Sequence, residues 1–261
     1  MHRLLVADVG NTNIVIGIYR DDDLLASWRL ATARDRTADE YGILVRQLIA
    51  KEFPEAIDGA IVASVVPPLN QSIHEMIRKY FEIDPIFVEP GIKTGLSIVT
   101  ENPLEVGADR IVNAVAAFQI YGGPAIVVDF GTATTFDVIS AKGEYRGGVI
   151  APGLTISSEA LFARAARLPR VDLRRPAQLI GTNTVSSMQS GIYFGYLGLV
   201  DGILSRMKRE VRGLRTIVAT GGLASLLVHD SEHPMEIDPD LTLKGLKLIY
   251  DRNRSTRKAR R

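Results

Sequence analysis

The chain contains no cysteine among its 261 residues. That absence excludes disulfides, thiolate-ligated zinc and a thiol nucleophile, and it fits a reducing compartment. Tryptophan is scarce as well: Trp28 stands alone in strand-like sequence and reads as core packing. There are only four histidines. His229 and His233, in "HDSEHP", are spaced i, i+4, but the stretch is polar, runs into Pro234 and offers no third ligand, so a loop is expected there rather than a metal site. His2 and His74 have no evident partner in the sequence. No apolar run is long enough to span a bilayer, and even "AIVVDF" is broken by Asp129. The start, "MHRLLVADVG", enters a strand at once and shows no small-residue cleavage site, so it does not read as a signal peptide and the cytoplasm is the expected location. Two common phosphate-binding signatures are also missing: no G-x-x-x-x-G-K-[ST] loop and no G-x-G-x-x-G opening a helix after a strand.

What is present is the composition of a globular protein, 46% hydrophobic and 23% charged, long enough for two domains of ordinary size. The net charge is +1, unevenly spread. From Asp251 onward six basic residues stand against that one carboxylate, a net +5 that leaves −4 for the rest. A basic end of this kind reads as a solvated tail, so neither nucleic-acid nor membrane partners are expected.

Strand-like and helix-like runs alternate. "RLLVADV", "IVIGIYR" and "LLASWRLAT" form a three-stranded meander, Thr37 to Phe53 has helical patterning, "GAIVASVV" is a buried strand, Asn70 to Phe81 a helix and "PIFVEP" a further strand. After the apolar helix of "GADRIVNAVAAFQIYG" the pattern restarts with "PAIVVDFGTATTFDVIS" and "GEYRGGVIAPG". The restart is specific: Asp8-Val9-Gly10, a polar turn and a strand have their counterpart in Asp129-Phe130-Gly131, a turn through Thr132 and the strand to Ile139. This organisation predicts an α/β protein with an N-terminal domain over residues 1–120, a C-terminal domain over 121–254 and a disordered basic tail over 255–261.

Each hairpin combines glycine, which lets backbone N–H groups approach an anion, with hydroxyl or amide side chains that add donors. The carboxylate at the strand end suits a hard cation such as Mg²⁺, directly or through water. Taken singly, each is also an ordinary tight turn. Gly221-Gly222 in "TIVATGGLAS" follows a strand and precedes a helix-like stretch, which suits a phosphate or nucleoside at a helix N-terminus, although such turns also use glycine for steric reasons alone. In "ENPLEVGADRIVNAVAAF", Asp109 and Arg110 open an apolar helix. They are either a dipole-favoured carboxylate with a surface cation, or a general base beside a cation able to fork onto a substrate carboxylate.

Six motifs, "DVGNTN", "EVGADRIVNAVAA", "VVDFGTATTFDVI", "GGVIAPGLTIS", "GTNTVSSMQSG" and "ATGGLA", stand in this order over nearly the whole chain. As a set they closely resemble the type III pantothenate kinases, a family of the acetate and sugar kinase, heat-shock 70 and actin superfamily. The resemblance implies two ribonuclease-H-like domains with mixed sheets flanked by helices. It implies ATP-dependent phosphorylation of pantothenate to 4'-phosphopantothenate, the first committed step toward coenzyme A, with Mg²⁺, a monovalent cation (K⁺ or NH₄⁺) and a homodimer whose active site is composite.

Position by position, Asp8, Val9, Gly10, Asn11, Thr12, Asn13, Ile14 and Val15 match the family's ATP phosphate hairpin, with Asp8 organising Mg²⁺. Thr132 matches an ATP contact and Asp129 the monovalent-cation ligand. Gly107, Ala108, Asp109 and Arg110 match the pantothenate-binding segment, with Asp109 as general base, and Thr184 of "GTNT" matches a substrate contact reaching across the dimer. One departure stands out: family members often carry a Tyr just before "ENP", whereas this chain has Val99-Thr100. The functional alternatives are another small-molecule kinase of the superfamily, which would lack "GADR" and "GTNT", and a non-catalytic transcription accessory factor, which would bind DNA in a salt-dependent way.

Overall fold

The computed structural model describes residues 2–53, 56–165 and 168–258. The first three strands, β1 (Arg3–Val9), β2 (Asn13–Arg20) and β3 (Asp23–Ala31), form an antiparallel meander, and β4 (Gly59–Ser64) and β5 (Ile86–Phe87) extend it on the other side of β1 in parallel, giving the order β3-β2-β1-β4-β5. β4 sits inside the sheet, and its run "GAIVA" is buried residue after residue, as a strand covered on both faces requires. Along β1 the side chains alternate. Leu5, Ala7 and Val9 join Tyr41, Val45 and Ile49 of α1 (Ala38–Glu52) and Leu69, Ile73 and Met76 of α2 (Pro67–Phe81) in one core layer. Leu4 and Val6 join Val112 and Val115 of α3 (Ala108–Tyr121) and Leu243, Leu246 and Ile249 of α7 (Leu241–Lys258) in a second.

Local chemistry sets the helix ends. Thr37 caps α1 in a reciprocal box, its hydroxyl accepting from Glu40 N–H while the Glu40 carboxylate accepts from Thr37 N–H. Helix α2 begins at Pro67, before the expected start at Asn70, because proline tolerates the first helical position, where no N–H is needed. It ends where Glu82 turns left-handed, at φ 58°.

The second sheet repeats the first. β7 (Ala125–Phe130), β8 (Ala133–Ile139) and β9 (Glu144–Pro152) form an antiparallel meander, and β10 (Thr216–Thr220) and β11 (Glu236–Ile237) add in parallel beside β7. The short β6 (Ser97–Ile98) lies at the outer edge of β9. Helix α4 (Leu154–Arg164) and the 27-residue α5 (Thr184–Glu210) cover one face, where Tyr193, Tyr196, Val200 and Leu204 of α5 pack with Ile126, Val128 and Phe130 of β7. The remaining helix, α6 (Ala224–Leu227), is a single turn.

The chain thus forms two compact units, one of residues 1–97, 101–116 and 241–261 and one of residues 98–100 and 117–240. Helix α7 belongs to the first because it lies on β1 and β4. The expected basic tail falls partly within this helix, which runs to Lys258, and residues 259–261 lie outside the described residues. His233 is buried between Ser205 and the backbone oxygen of Asp201, and Trp28 is half-buried with its ring edge-on to Phe53. Among the described residues no helix is long and apolar enough to cross a membrane.

Helix α7 approaches α3 so closely at Gly245 that an added Cβ would strike the backbone oxygen of Val112. Gly245→Ala should therefore cost about 1–3 kcal/mol by overpacking, despite alanine's better helix propensity. Thermal unfolding checks this, and an unchanged or raised Tm would show that the two helices are free to separate.

Candidate active site

The two hairpins occupy equivalent places in their sheets. Asp8 faces Val15 across the antiparallel pair and Ala63 across the parallel one; Asp129 faces Thr135 and Thr220 in the same sense. Both aspartates are half-buried, one residue before their strand ends. In the first hairpin Gly10 N–H donates to Asn13 O at 3.0 Å, and in the second Gly131 N–H donates to Ala133 O at 3.1 Å. The residue after each meander then buttresses the turn. Thr32 N–H donates to Thr12 O (3.0 Å), as Gly153 N–H donates to Thr132 O (3.1 Å). The sequence repeat is therefore also a repeat of strand register and turn support.

Thr32 does more, donating its hydroxyl to Gly10 O at 2.7 Å, while Arg34 donates to the Asn11 side chain at 3.0 Å. These clamps hold Gly10, Asn11 and Thr12 from the rear, and Asn11 and Thr12 remain exposed. No sequence signal marks Thr32 or Arg34, because each acts across more than twenty residues.

The "GADR" segment lies at the same end of the first sheet. Val65, which follows β4, donates its N–H to Val9 O at 3.0 Å, and its Cγ1 stands 3.6 Å from where a Cβ on Gly107 would be. The start of α3 is thereby set beside the end of β1, bringing the Asp8 hairpin and Asp109 to one edge of the unit. The Asp109 carboxylate accepts from the N–H of Arg110 at 2.8 Å, and its Oδ1 lies 2.6 Å from the position a Gly107 Cβ would take. A larger residue at 107 would displace it.

In the second unit Gly221 has φ +89°, a conformation that L side chains rarely adopt, and a Cβ there would lie 2.5 Å from Asp129 Oδ1. Gly153 is similarly tight, its Cβ position 2.6 Å from Gly131 O. Asp129, Gly131, Thr132, Gly153 and Gly221 thus converge at the carboxyl ends of β7 and β10. The helix after Gly221-Gly222 is only the four-residue α6, too short for the helix N-terminus anion site expected there. Thr184 is exposed in the first turn of α5, after Asn183, whose side chain caps Ser186 N–H at 2.9 Å. Thr100, just before "ENP", has its Cγ2 3.8 Å from where a Gly147 Cβ would be, and its hydroxyl is buried without a hydrogen-bond partner among the described residues.

Two carboxylates on glycine turns at the ends of paired parallel strands, repeated within one chain, define a class. The chain is similar in fold to the activator of 2-hydroxyisocaproyl-CoA dehydratase from Clostridium difficile, solved with bound ADPNP, with TM-score 0.59 and 12% identity over 98% of this chain and 97% of that one. It is also similar to a ROK family glucokinase from Streptomyces griseus, with TM-score 0.55 and 10% identity over 97% and 99%. These likenesses place it in the actin-like ATPase and sugar kinase fold, with two ribonuclease-H-like domains.

Sequence comparison narrows the class. The family model described as type III pantothenate kinase matches residues 4–206. The type III pantothenate kinase of Koribacter versatilis is 56% identical over 270 residues, 98% of each chain, and that of Moorella thermoacetica is 56% identical over 252 residues, 96% of this chain and 99% of the other. The chain belongs to the type III pantothenate kinase family.

Replacing Thr32 by valine removes the hydroxyl and leaves Gly10 O short of a donor. The expected cost is about 1 kcal/mol of stability. Denaturant midpoints check this, and an unchanged variant would show that the turn holds its shape without the clamp.

Proposed function

We infer that the chain transfers the γ-phosphoryl group of ATP to the primary hydroxyl of pantothenate, the activity for which its family is named. The observation that carries this reading is the contact of Val65 with both Val9 and the Gly107 position, which sets the Asp8 hairpin and Asp109 side by side. A phosphate cradle and a carboxylate base at one strand end are what an in-line transfer to a hydroxyl needs.

In this reading the turn from Gly10 to Asn13 receives phosphate oxygens, and Asp109 accepts the hydroxyl proton while aiming the oxygen. Gly107 and Ala108 shape the pocket, and the Arg110 guanidinium pairs with the substrate carboxylate. In the second unit Thr132 adds a hydroxyl to the nucleotide. Asp8 would hold Mg²⁺ directly or through water. Among the described residues no three His, Asp or Glu side chains are grouped to take a metal by themselves, which suits an ion that keeps waters and is bound largely by phosphates. When bound, Mg²⁺ offsets charge on the transferred group. Asp129, half-buried and with its Oδ1 against the space a side chain at Gly221 would fill, offers the hard oxygen a K⁺ or NH₄⁺ ion would accept, and that cation would relieve its repulsion of phosphate.

Thr184 would reach the substrate of a second copy of the chain. Support comes from exposed apolar side chains in the second unit, Leu179, Ile180 and Val185 close to it in the chain, and Ile156 and Leu161 on α4. We assign the protein to the cytoplasm on the strength of its metabolic role.

Asp109→Asn, which keeps shape but removes the charge, should lower kcat by roughly 10²- to 10⁴-fold with ATP affinity little changed. Arg110→Ala should mainly raise the KM for pantothenate. If Asp109 served only the helix end, Asn would cap nearly as well and kcat would stay near normal; steady-state kinetics on the two variants decides. Exchanging K⁺ for a large organic cation should abolish turnover, and unchanged turnover after the swap would remove Asp129 from cation binding.

A further inference from the structure

Among the described residues between α4 and α5 there is no helix or strand, yet from Leu168 to Asn183 the chain is tied down at several points. Val171 is buried and Leu173 packs against the second unit's core. The Gln189 side-chain amide donates to Asp172 O at 3.1 Å, and the Ser190 hydroxyl donates to Leu179 O. Arg175 Nε donates to Asp230 Oδ2 at 2.5 Å, and the Tyr193 hydroxyl donates to the same oxygen at 2.7 Å. Burial first, and then the Asp230 carboxylate, push the Tyr193 hydroxyl up to about 12, so it remains a donor at neutral pH. Gly181 lies flat on the first turn of α5, where a Cβ would strike Ser187 N.

Gln189 and Ser190 are 8% and 3% exposed. Buried polar side chains are costly unless satisfied, and apolar residues would hold the helix against the core as well. Both side chains donate to strap carbonyls, so what these two residues specify is the path of the strap. Near its end the strap carries Leu179 and Ile180, 65% and 81% exposed, then Gly181, Thr182 and Asn183, and Thr184 follows at once.

We propose that Gln189 and Ser190 are positioning residues for substrate recognition, pinning the strap of residues 168–183 so that Thr184 is presented to pantothenate. The proposal rests on the reading of Thr184 as a substrate contact. Neither residue touches substrate in this account; both act through the carbonyls they hold.

The test compares Ser190→Ala, Ser190→Thr, Gln189→Met and Thr184→Val in the full-length protein, by limited trypsin digestion and by kinetics with ATP and pantothenate. Ser190→Ala and Gln189→Met should speed cleavage after Arg170 and Arg174, and raise the KM for pantothenate about tenfold, while kcat and the KM for ATP stay within about twofold. Ser190→Thr, which keeps the hydroxyl, should restore both readouts. Thr184→Val should raise the same KM without faster cleavage. Two results would overturn the proposal while leaving Thr184 in place: faster cleavage with an unmoved pantothenate KM, or no faster cleavage in either strap variant. Should Ser190→Ala not fold, Gln189→Met alone decides between these results. An unchanged KM in Thr184→Val would instead remove the Thr184 reading itself, and the proposal with it.

Discussion

The rest of the structure depends on one electrostatic constraint: an aspartate carried to the end of a buried strand and held half out of water. Asp8 and Asp129 each stand between an antiparallel neighbour and a parallel one, one residue before a glycine turn. A carboxylate so placed is costly without compensating donors or cations. The surrounding devices all shape that place. Thr32 and Gly153 brace the turns from behind, Gly221 fits against Asp129 where no side chain could, and Val65 sets the start of α3 beside the first hairpin.

The duplication follows from the same constraint. The orders β3-β2-β1-β4-β5 and β9-β8-β7-β10-β11 are the same topology written twice. Between the aspartate and its first partner in the next strand the second hairpin is one residue shorter, Asp129 pairing with Thr135 where Asp8 pairs with Val15. The turns are therefore equivalent in support but not in residue count, which leaves Thr132 alone where the first hairpin presents Asn11 and Thr12.

Much of this was legible in the sequence because it is local. Apolar-polar alternation marks the meanders, the Asp-x-Gly turns recur at matching points, and the helical patterning from Thr37 to Phe53 announces α1. Other parts were hidden for definite reasons. Two prolines conceal the first turn of α2. The length of α5 is obscured by Gly191, Gly195, Gly198 and Gly202, each a weak helix former, and tertiary packing of Tyr193, Tyr196 and Val200 overrides them. Thr32, Arg34, Gly153 and the Thr100–Gly147 approach are long-range, and no local pattern encodes them. In "GADR" the fold shows Asp109 in the first turn of a helix that begins beside the Asp8 hairpin.

The most direct measurement of the central claim is ADP release by the unmodified protein in Mg²⁺ and K⁺, with and without pantothenate. The account requires ADP to form with pantothenate, with one phosphorylated pantothenate for each ADP, and only slowly without it. ADP formation that ignores pantothenate, or none under either condition, would contradict it.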